Sequence, residues 1–229
     1  MKRIEISARR QALLEVAAGL IVERGSSCLN VSELSARSGI PRPTVYADFP
    51  HPNIRIRRMI LVVFLRKLRE SVETTLACLE RNQSEVERIA AMFRAVIYTF
   101  KSSGTIGRAS TMLLLDQRLK RLPDLVWLQR EAEVHLSRAT ARGELTCVAK
   151  AVGFPHIRSL LFGVLFGLLQ TLHVGPNPCP PRSKSDLPLT ETEVHVEMLR
   201  ILQVYCNDDA KSRLQSIMDA LLRKRAAAV

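Results

Sequence analysis

Arg42, Pro43, Thr44, Tyr46 and Ala47 lie on one short segment, Pro41-Arg-Pro-Thr-Val-Tyr-Ala-Asp-Phe49. If that segment is helical, Val45 and Phe49, four apart, turn inward, and Arg42, Thr44 and Ala47 turn out. Side chains of these types can read a nucleic acid. An arginine pairs with guanine, a threonine hydroxyl bonds a base or a phosphate, and an alanine methyl meets the methyl of thymine. A tyrosine hydroxyl donates to phosphate, which positions the protein without specifying sequence. A proline in the first turn costs little, because the amides there have no helical partner. With Asn30 and Ser32 from the start of the preceding element, these residues form the expected DNA-binding set.

Other chemistry has little to work with. The five histidines, His51, His135, His156, His173 and His195, form no close pair with zinc-ligand spacing. Cys28, Cys78, Cys147, Cys179 and Cys206 are odd in number and scattered, and read as free thiols of a reducing compartment. There is no G-x-S-x-G elbow, no P-loop and no dinucleotide fingerprint. No catalytic residue, metal or cofactor is expected, and the chain is not expected to be an enzyme.

The elements that must hold the reading residues are all helical. Leu13, Val16, Ala17, Leu20 and Ile21 recur at helical spacing between Ser7, a capping residue, and Gly25, a stop. Asn30 before Val31-Ser-Glu33 predicts a capping box, with Asn30 accepting from the amide three residues on and Glu33 reaching back. Gly39 ends this second helix after about two turns, and Ile40-Pro41 leads into the third. Two short helices joined by a tight turn behind a longer one are the parts of a helix-turn-helix, whose second member enters the major groove.

Beyond it, Met59, Ile60, Val63, Phe64, Leu68, Val72 and Leu76 mark a long helix from Asn53 to about Leu79. Further helices are expected near 84–101, 105–119, 124–142, 155–174, 190–205 and 208–225, with a proline-rich loop beginning at Gly175. Strand-like alternation is absent. The fold class is therefore all-α: an N-terminal three-helix DNA-binding domain over residues 1–50, and a C-terminal helical domain over residues 51–229.

Charge agrees with this division. Of a formal net charge of +12, residues 1–69 carry 13 basic and 5 acidic side chains, a net of +8. Such a field suits polyanionic phosphate and an anionic membrane surface equally. The start, Met1-Lys-Arg-Ile-Glu-Ile-Ser7, lacks the apolar run of a secretory signal, so a cytoplasmic location is expected. Leu160 to Leu169 is about half the length of a membrane-spanning helix and reads as a buried one.

The run Ala12-Leu-Leu-Glu-Val-Ala-Ala-Gly-Leu-Ile-Val-Glu-Arg-Gly25, then Asn30-Val-Ser-Glu-Leu-Ser-Ala-Arg-Ser-Gly-Ile40, then Thr44-Val-Tyr-Ala-Asp-Phe49, closely resembles the N-terminal domain of TetR-family repressors. The likeness covers about residues 8–50. Arg138-Ala-Thr-Ala-Arg-Gly-Glu-Leu145 before a long apolar helix is similar, more loosely, to the end of that family's ligand-binding domain. Three departures bear on phosphate contacts: Pro41 replaces the usual serine, Pro43 the usual glycine, and the usual lysine after the Phe is missing from His51-Pro-Asn-Ile-Arg55. Arg55, Arg57 and Arg58 are candidates to supply that charge.

The resemblance implies a homodimer on a near-palindromic DNA operator, released by a small molecule. It implies a dimer face on the helices near 155–174 and 190–206, for which Leu160, Gly163, Phe166, Gly167, Val194, Met198 and Ile201 are the candidates. Gly163 and Gly167, four apart, let another backbone approach; the competing reading is a tightly packed helix within one chain's core. It also implies a pocket among the middle helices for a small hydrophobic or aromatic effector, with Phe93, Tyr98, Met112, Trp127, His135 and Phe162 as candidate lining. A basic coat for DNA of any sequence would explain the charge alone. A peripheral membrane protein would explain the apolar and basic helices, but not the helix-turn-helix punctuation.

Overall fold

The computed structural model describes residues 7–80, 82–114, 122–146, 149, 152–171 and 189–227. Among them are ten α-helices: α1 (Ala8–Arg24), α2 (Val31–Ser38), α3 (Arg42–Asp48), α4 (Pro52–Ala77), α5 (Glu85–Ser102), α6 (Gly104–Leu114), α7 (Pro123–Ala141), α8 (Phe154–Thr171), α9 (Glu191–Gln203) and α10 (Asp208–Ala226). The only extended pairing among the described residues is an isolated antiparallel bridge, Leu145 to Cys206. The all-α expectation holds, and most helix ends fall within a residue or two of the sequence reading. The proline-rich loop lies outside the described residues, as does the predicted end of the helix after Leu114.

The chain divides into two compact units, Met1–Lys67 with Phe100–Leu125, and Leu68–Thr99 with Val126–Val229. In the first, α1 packs against α2, α6 and a 3-10 turn (Ser26–Cys28), and α2 packs against α3. Leu13, Leu14, Ala17, Leu20 and Ile21 of α1 are almost wholly removed from water, as the helical spacing of the apolar residues requires. Along α4, Ile60, Phe64, Leu68 and Val72 are buried as expected; Met59, Val63 and Leu76 are only half-buried, and Ile56, Leu61 and Leu65 take the inner stripe instead. Phe64 meets Phe100 edge to face, with ring centroids 6.4 Å apart, the arrangement ring quadrupoles favour. Gly107, in the first turn of α6, packs closely on the end of α5: a Cβ there would stand 2.6 Å from the Phe100 carbonyl oxygen, so a side chain would force the backbone to shift.

In the second unit, α9 packs against α8 and α10. The start of α5 is capped twice. Ser84 and Glu87 form a capping box, with amide-to-side-chain distances of 2.9 and 3.1 Å, and the Glu144 carboxylate accepts from the amides of Glu85 and Val86 at 3.3 and 3.0 Å. Glu144 sits in the turn after α7, which is itself pinned to the turn after α9: the Asn207 amide donates to the Glu144 carbonyl at 2.9 Å, and the Thr146 amide to the Tyr205 carbonyl at 2.8 Å. The segment Arg138 to Leu145 is therefore a junction on which two helix ends depend. No helix among the described residues is long and apolar enough to cross a membrane.

Candidate nucleic-acid interface and effector cavity

α2 starts at Asn30, whose side chain accepts from the Ser32 amide at 2.8 Å. The predicted capping box does not form. Asn30 bonds the amide two residues on, and Glu33 turns away to pair with Arg24 at 2.8 Å and Arg37 at 3.2 Å; two guanidiniums within reach outweigh one backbone amide. Arg37 also reaches Glu23 at 2.7 Å, tying α2 to α1. Gly39 takes the left-handed conformation, φ +68°, which a side chain would resist. The Ser35 hydroxyl closes the turn by donating to the Ile40 carbonyl at 2.7 Å.

Pro41 occupies the cap of α3 and provides no side-chain oxygen; its carbonyl accepts from Thr44 and Val45 at 2.9 and 3.1 Å. Val45 and Phe49 are buried, while Arg42, Pro43, Tyr46 and Ala47 are exposed and Thr44 is half-buried. Asn30 is exposed and Ser32 half-buried at the start of α2. The far end of α3 is clamped: Arg9 grips Asp48 through two bonds of 2.7 and 2.9 Å, and Arg10 approaches the same carboxylate at 3.4 Å. The Arg10 guanidinium also lies over the Phe49 ring, 5.8 Å from its centre, within cation–π range. The hydrogen bond from Arg9 holds the Asp48 carboxyl below its ordinary pKa.

Beside Tyr46, an open groove is lined by Val31, Pro50, His51, Pro52, Asn53 and Ile54. His51 reaches φ +57° there, unusual for a residue with a side chain. Its carbonyl accepts from the Ile54 and Arg55 amides at 3.2 and 3.1 Å and so starts α4. Arg55 and Arg58 are exposed along that helix, and Arg57 is half-buried.

In the second unit, a small apolar hollow is walled by Ile89, Met92, Phe93 and Val96 of α5, Leu128, Ala132 and Leu136 of α7, and Leu161, Phe162 and Leu165 of α8. Of the six sequence candidates, Phe93 and Phe162 come together on this wall. Tyr98 is 64% exposed. Trp127 is half-buried beneath the Arg69 guanidinium, 4.7 Å from its ring centre. Met112 is half-buried on α6, in the first unit. His135 is buried and holds Glu85 through Nδ1 at 2.6 Å, while its Nε2 has no hydrogen-bond partner among the described residues. His195 is buried too, against the Ala90 carbonyl at 3.2 Å, and burial pushes its pKa down to about 4.

α8 has two unlike sides. Ile157, Leu161, Leu165 and Leu169 are buried; Leu160, Gly163 and Gly167 are exposed, and a Cβ built on either glycine meets nothing. Among the described residues nothing covers that second side. On α9, Val194 and Met198 are fully buried within the chain and Ile201 is half-buried. The Phe166 side chain lies outside the described residues.

Solved structures share this arrangement. A gamma-butyrolactone receptor described as ArpA-like superposes with a TM-score of 0.68 at 18% identity, over 94% of this chain and 97% of that one. The TetR-family protein CprB from S. coelicolor A3(2) gives 0.64 at 17% identity, over 93% and 97%. The chain has the TetR-family fold. AibR, in a complex with isovaleryl coenzyme A and operator DNA, gives 0.56 at 17% identity over 83% of this chain and 95% of that one. No protein-family model matches the chain, and no curated protein matches its sequence. α1 to α3 have the long helix, short helix, tight turn and short helix that the sequence pattern predicts.

The Arg9–Asp48 clamp escaped the sequence reading. The partners are separated by 39 residues, and neither is marked by a local motif. The Glu144 cap escaped it for the same reason, although the segment that carries it was singled out.

Proposed function

We propose that this chain is a sequence-specific DNA-binding transcriptional regulator, a homodimer that leaves a near-palindromic operator when a small molecule binds its C-terminal domain. The observation that carries the reading is the two-sidedness of α3. Val45, Phe49 and Asp48 hold it from below, and Arg42, Tyr46 and Ala47 are exposed on the other side, with Thr44 half-buried among them. A helix held this way presents a fixed set of side chains to a groove, which a merely basic surface does not. Arg42, Thr44 and Ala47 face base edges, while Tyr46, with Asn30, Ser32 and Pro43 around it, serves the phosphate backbone.

Dimerisation uses the exposed apolar side of α8, where Leu160, Gly163 and Gly167 admit a second copy, with Ile201 of α9 at its margin. Two copies set their α3 helices about 34 Å apart, one turn of duplex. AibR, with its bound coenzyme A ester and operator DNA, supports coupling between an effector and DNA in this fold. The DNA-binding domain is residues 1–50 and the dimerising, effector-binding domain residues 51–229. A location in the cytoplasm, with the DNA, follows from this role.

The test is selection of bound sequences from a random duplex pool by the purified protein at physiological salt. An enriched near-palindrome is expected. Binding of random and selected duplexes alike, from a folded protein, would overturn the reading.

A further inference from the structure

Asp48 ends α3 and carries a charge that its place does not favour. A carboxylate there meets the negative end of the helix dipole and, on a helix turned toward a polyanion, repels the ligand as well. An asparagine would accept a bond from Arg9 with neither cost. What the charge does hold is arginine. The Asp48 side chain is 8% exposed and meets Arg9 at 2.7 and 2.9 Å and Arg10 at 3.4 Å, whereas the Arg9 side chain is 55% exposed. Arg9 gives Asp48 its Nε–H and one Nη–H, and the remaining donors of the fork are not used there. A guanidinium fork fits a phosphate as well as a carboxylate. Because its head stands beside the last residue of α3 on a flexible stem, a duplex phosphate flanking α3 comes within its swing.

We infer that Asp48 is a specificity-setting residue: its carboxylate competes with DNA phosphate for Arg9, with Arg10 beside it, and so holds sequence-independent binding down. That this sets specificity rests on the regulator reading; that the two anions compete does not. Contacts to phosphate supply essentially all of non-specific binding, so an arginine withheld from phosphate weakens that mode most. In an operator complex the base contacts of α3 need its clamped position, and the Arg9–Asp48 pair that fixes the position is kept. On random DNA nothing requires the clamp, and only the charge of Asp48 keeps Arg9 from following the backbone. The pair lowers the weak mode and supports the strong one.

The full chain is titrated with a random-sequence duplex between about 0.05 and 0.3 M salt, beside the operator that pool selection yields, and melting temperatures establish that each variant is folded. Asp48→Asn, which removes the charge and keeps an acceptor, is expected to bind random duplex roughly five- to thirtyfold more tightly near physiological salt, with the slope of log K against log salt steeper by about one to two. Its affinity for the operator should rise less or fall, so the specificity ratio drops. Asp48→Glu, which restores the charge, should bring random binding back down. Arg9→Gln should reverse most of the gain in the Asp48→Asn protein, yet change the slope by less than about 0.5 in the unsubstituted one. A merely structural Asp48 would behave differently, since a loosened α3 lowers operator binding and leaves the slope on random duplex alone.

Unchanged random-duplex affinity and slope in folded Asp48→Asn, or random and operator binding that rise equally, would overturn the proposal. So would a slope flattened by about one in Arg9→Gln alone, an outcome that needs no Asp48 variant to fold. A protein that selects no operator sinks the regulator reading, while the competition for Arg9 is still decided on random duplex.

Discussion

α3 and α8 are both short of cover, in opposite senses. α3 has seven residues, too few to be stable alone. It is fixed by two buried side chains and a bidentate ion pair, and its outer face carries an arginine, a threonine and a tyrosine. α8 has eighteen residues; its inner face is a continuous aliphatic stripe and its outer face offers leucine and two glycines. The first is a helix whose exposed side suits a hydrated, charged partner, and the second one whose exposed side suits an apolar partner. A face left open after folding is informative only together with what holds the other face, because a rigidly held helix presents one arrangement of side chains and a loosely held one presents many.

The sharpest way to break this contrast is to cut α3 loose. Phe49→Ala removes a ring that is 3% exposed and stacked under Arg10; the expected loss is about 3–5 kcal/mol of stability, read by denaturant unfolding. DNA binding should fall with it. A change within about 0.5 kcal/mol, the scale of ordinary surface substitutions, would mean that α3 is not held from below.

Acid separates the two units next. His195, in the second unit, has a pKa of about 4 against an ordinary 6.5, so it binds its proton more readily unfolded, and stability is lost as pH falls from 6.5 to 4; the loss is on the order of 3 kcal/mol. Asp48, in the first unit, is lowered by Arg9, so its contribution is intact above the ordinary 3.8 and fades only below it. Thermal melts from pH 8 to pH 3 should show the first loss vanish in His195→Gln and the second in Asp48→Asn. A first loss that survives His195→Gln would assign it to other groups.

The fold was legible because its signals are local and repeated. The apolar spacing in α1, the Gly39 stop and the absence of alternating runs each point to helices, and the tight turn to a helix-turn-helix. What could not be read is what depends on partners far apart in the chain. Asn30 and Glu33 have the spacing of a capping box, but Glu33 lies within reach of Arg24 and Arg37 once α1 and α2 pack, and the tertiary pairs win. Likewise, residue type suggested Tyr98 and Trp127 for a cavity, whereas the wall is built mainly of aliphatic side chains that resemble any core. Phe93 and Phe162 were found because they are both aromatic and inward-facing; Ala132 and Leu161 had nothing to distinguish them.

The exposed face of α3 allows the finest test, since its residues should affect DNA binding and leave stability alone. Arg42→Ala should cost about 1–3 kcal/mol of binding and relax the preference at one base step, measured by competition with operator variants; unchanged selectivity would remove Arg42 from the base contacts. Tyr46→Phe should do less and do it evenly. Tyr46 is 53% exposed and lines the open groove with His51 and Ile54, so a lost phosphate bond should cost about 1 kcal/mol on every sequence, with selectivity and salt dependence intact because no charge is removed. A loss confined to one operator variant would instead place Tyr46 against a base, and α3 would then sit deeper in the groove than its clamped end implies.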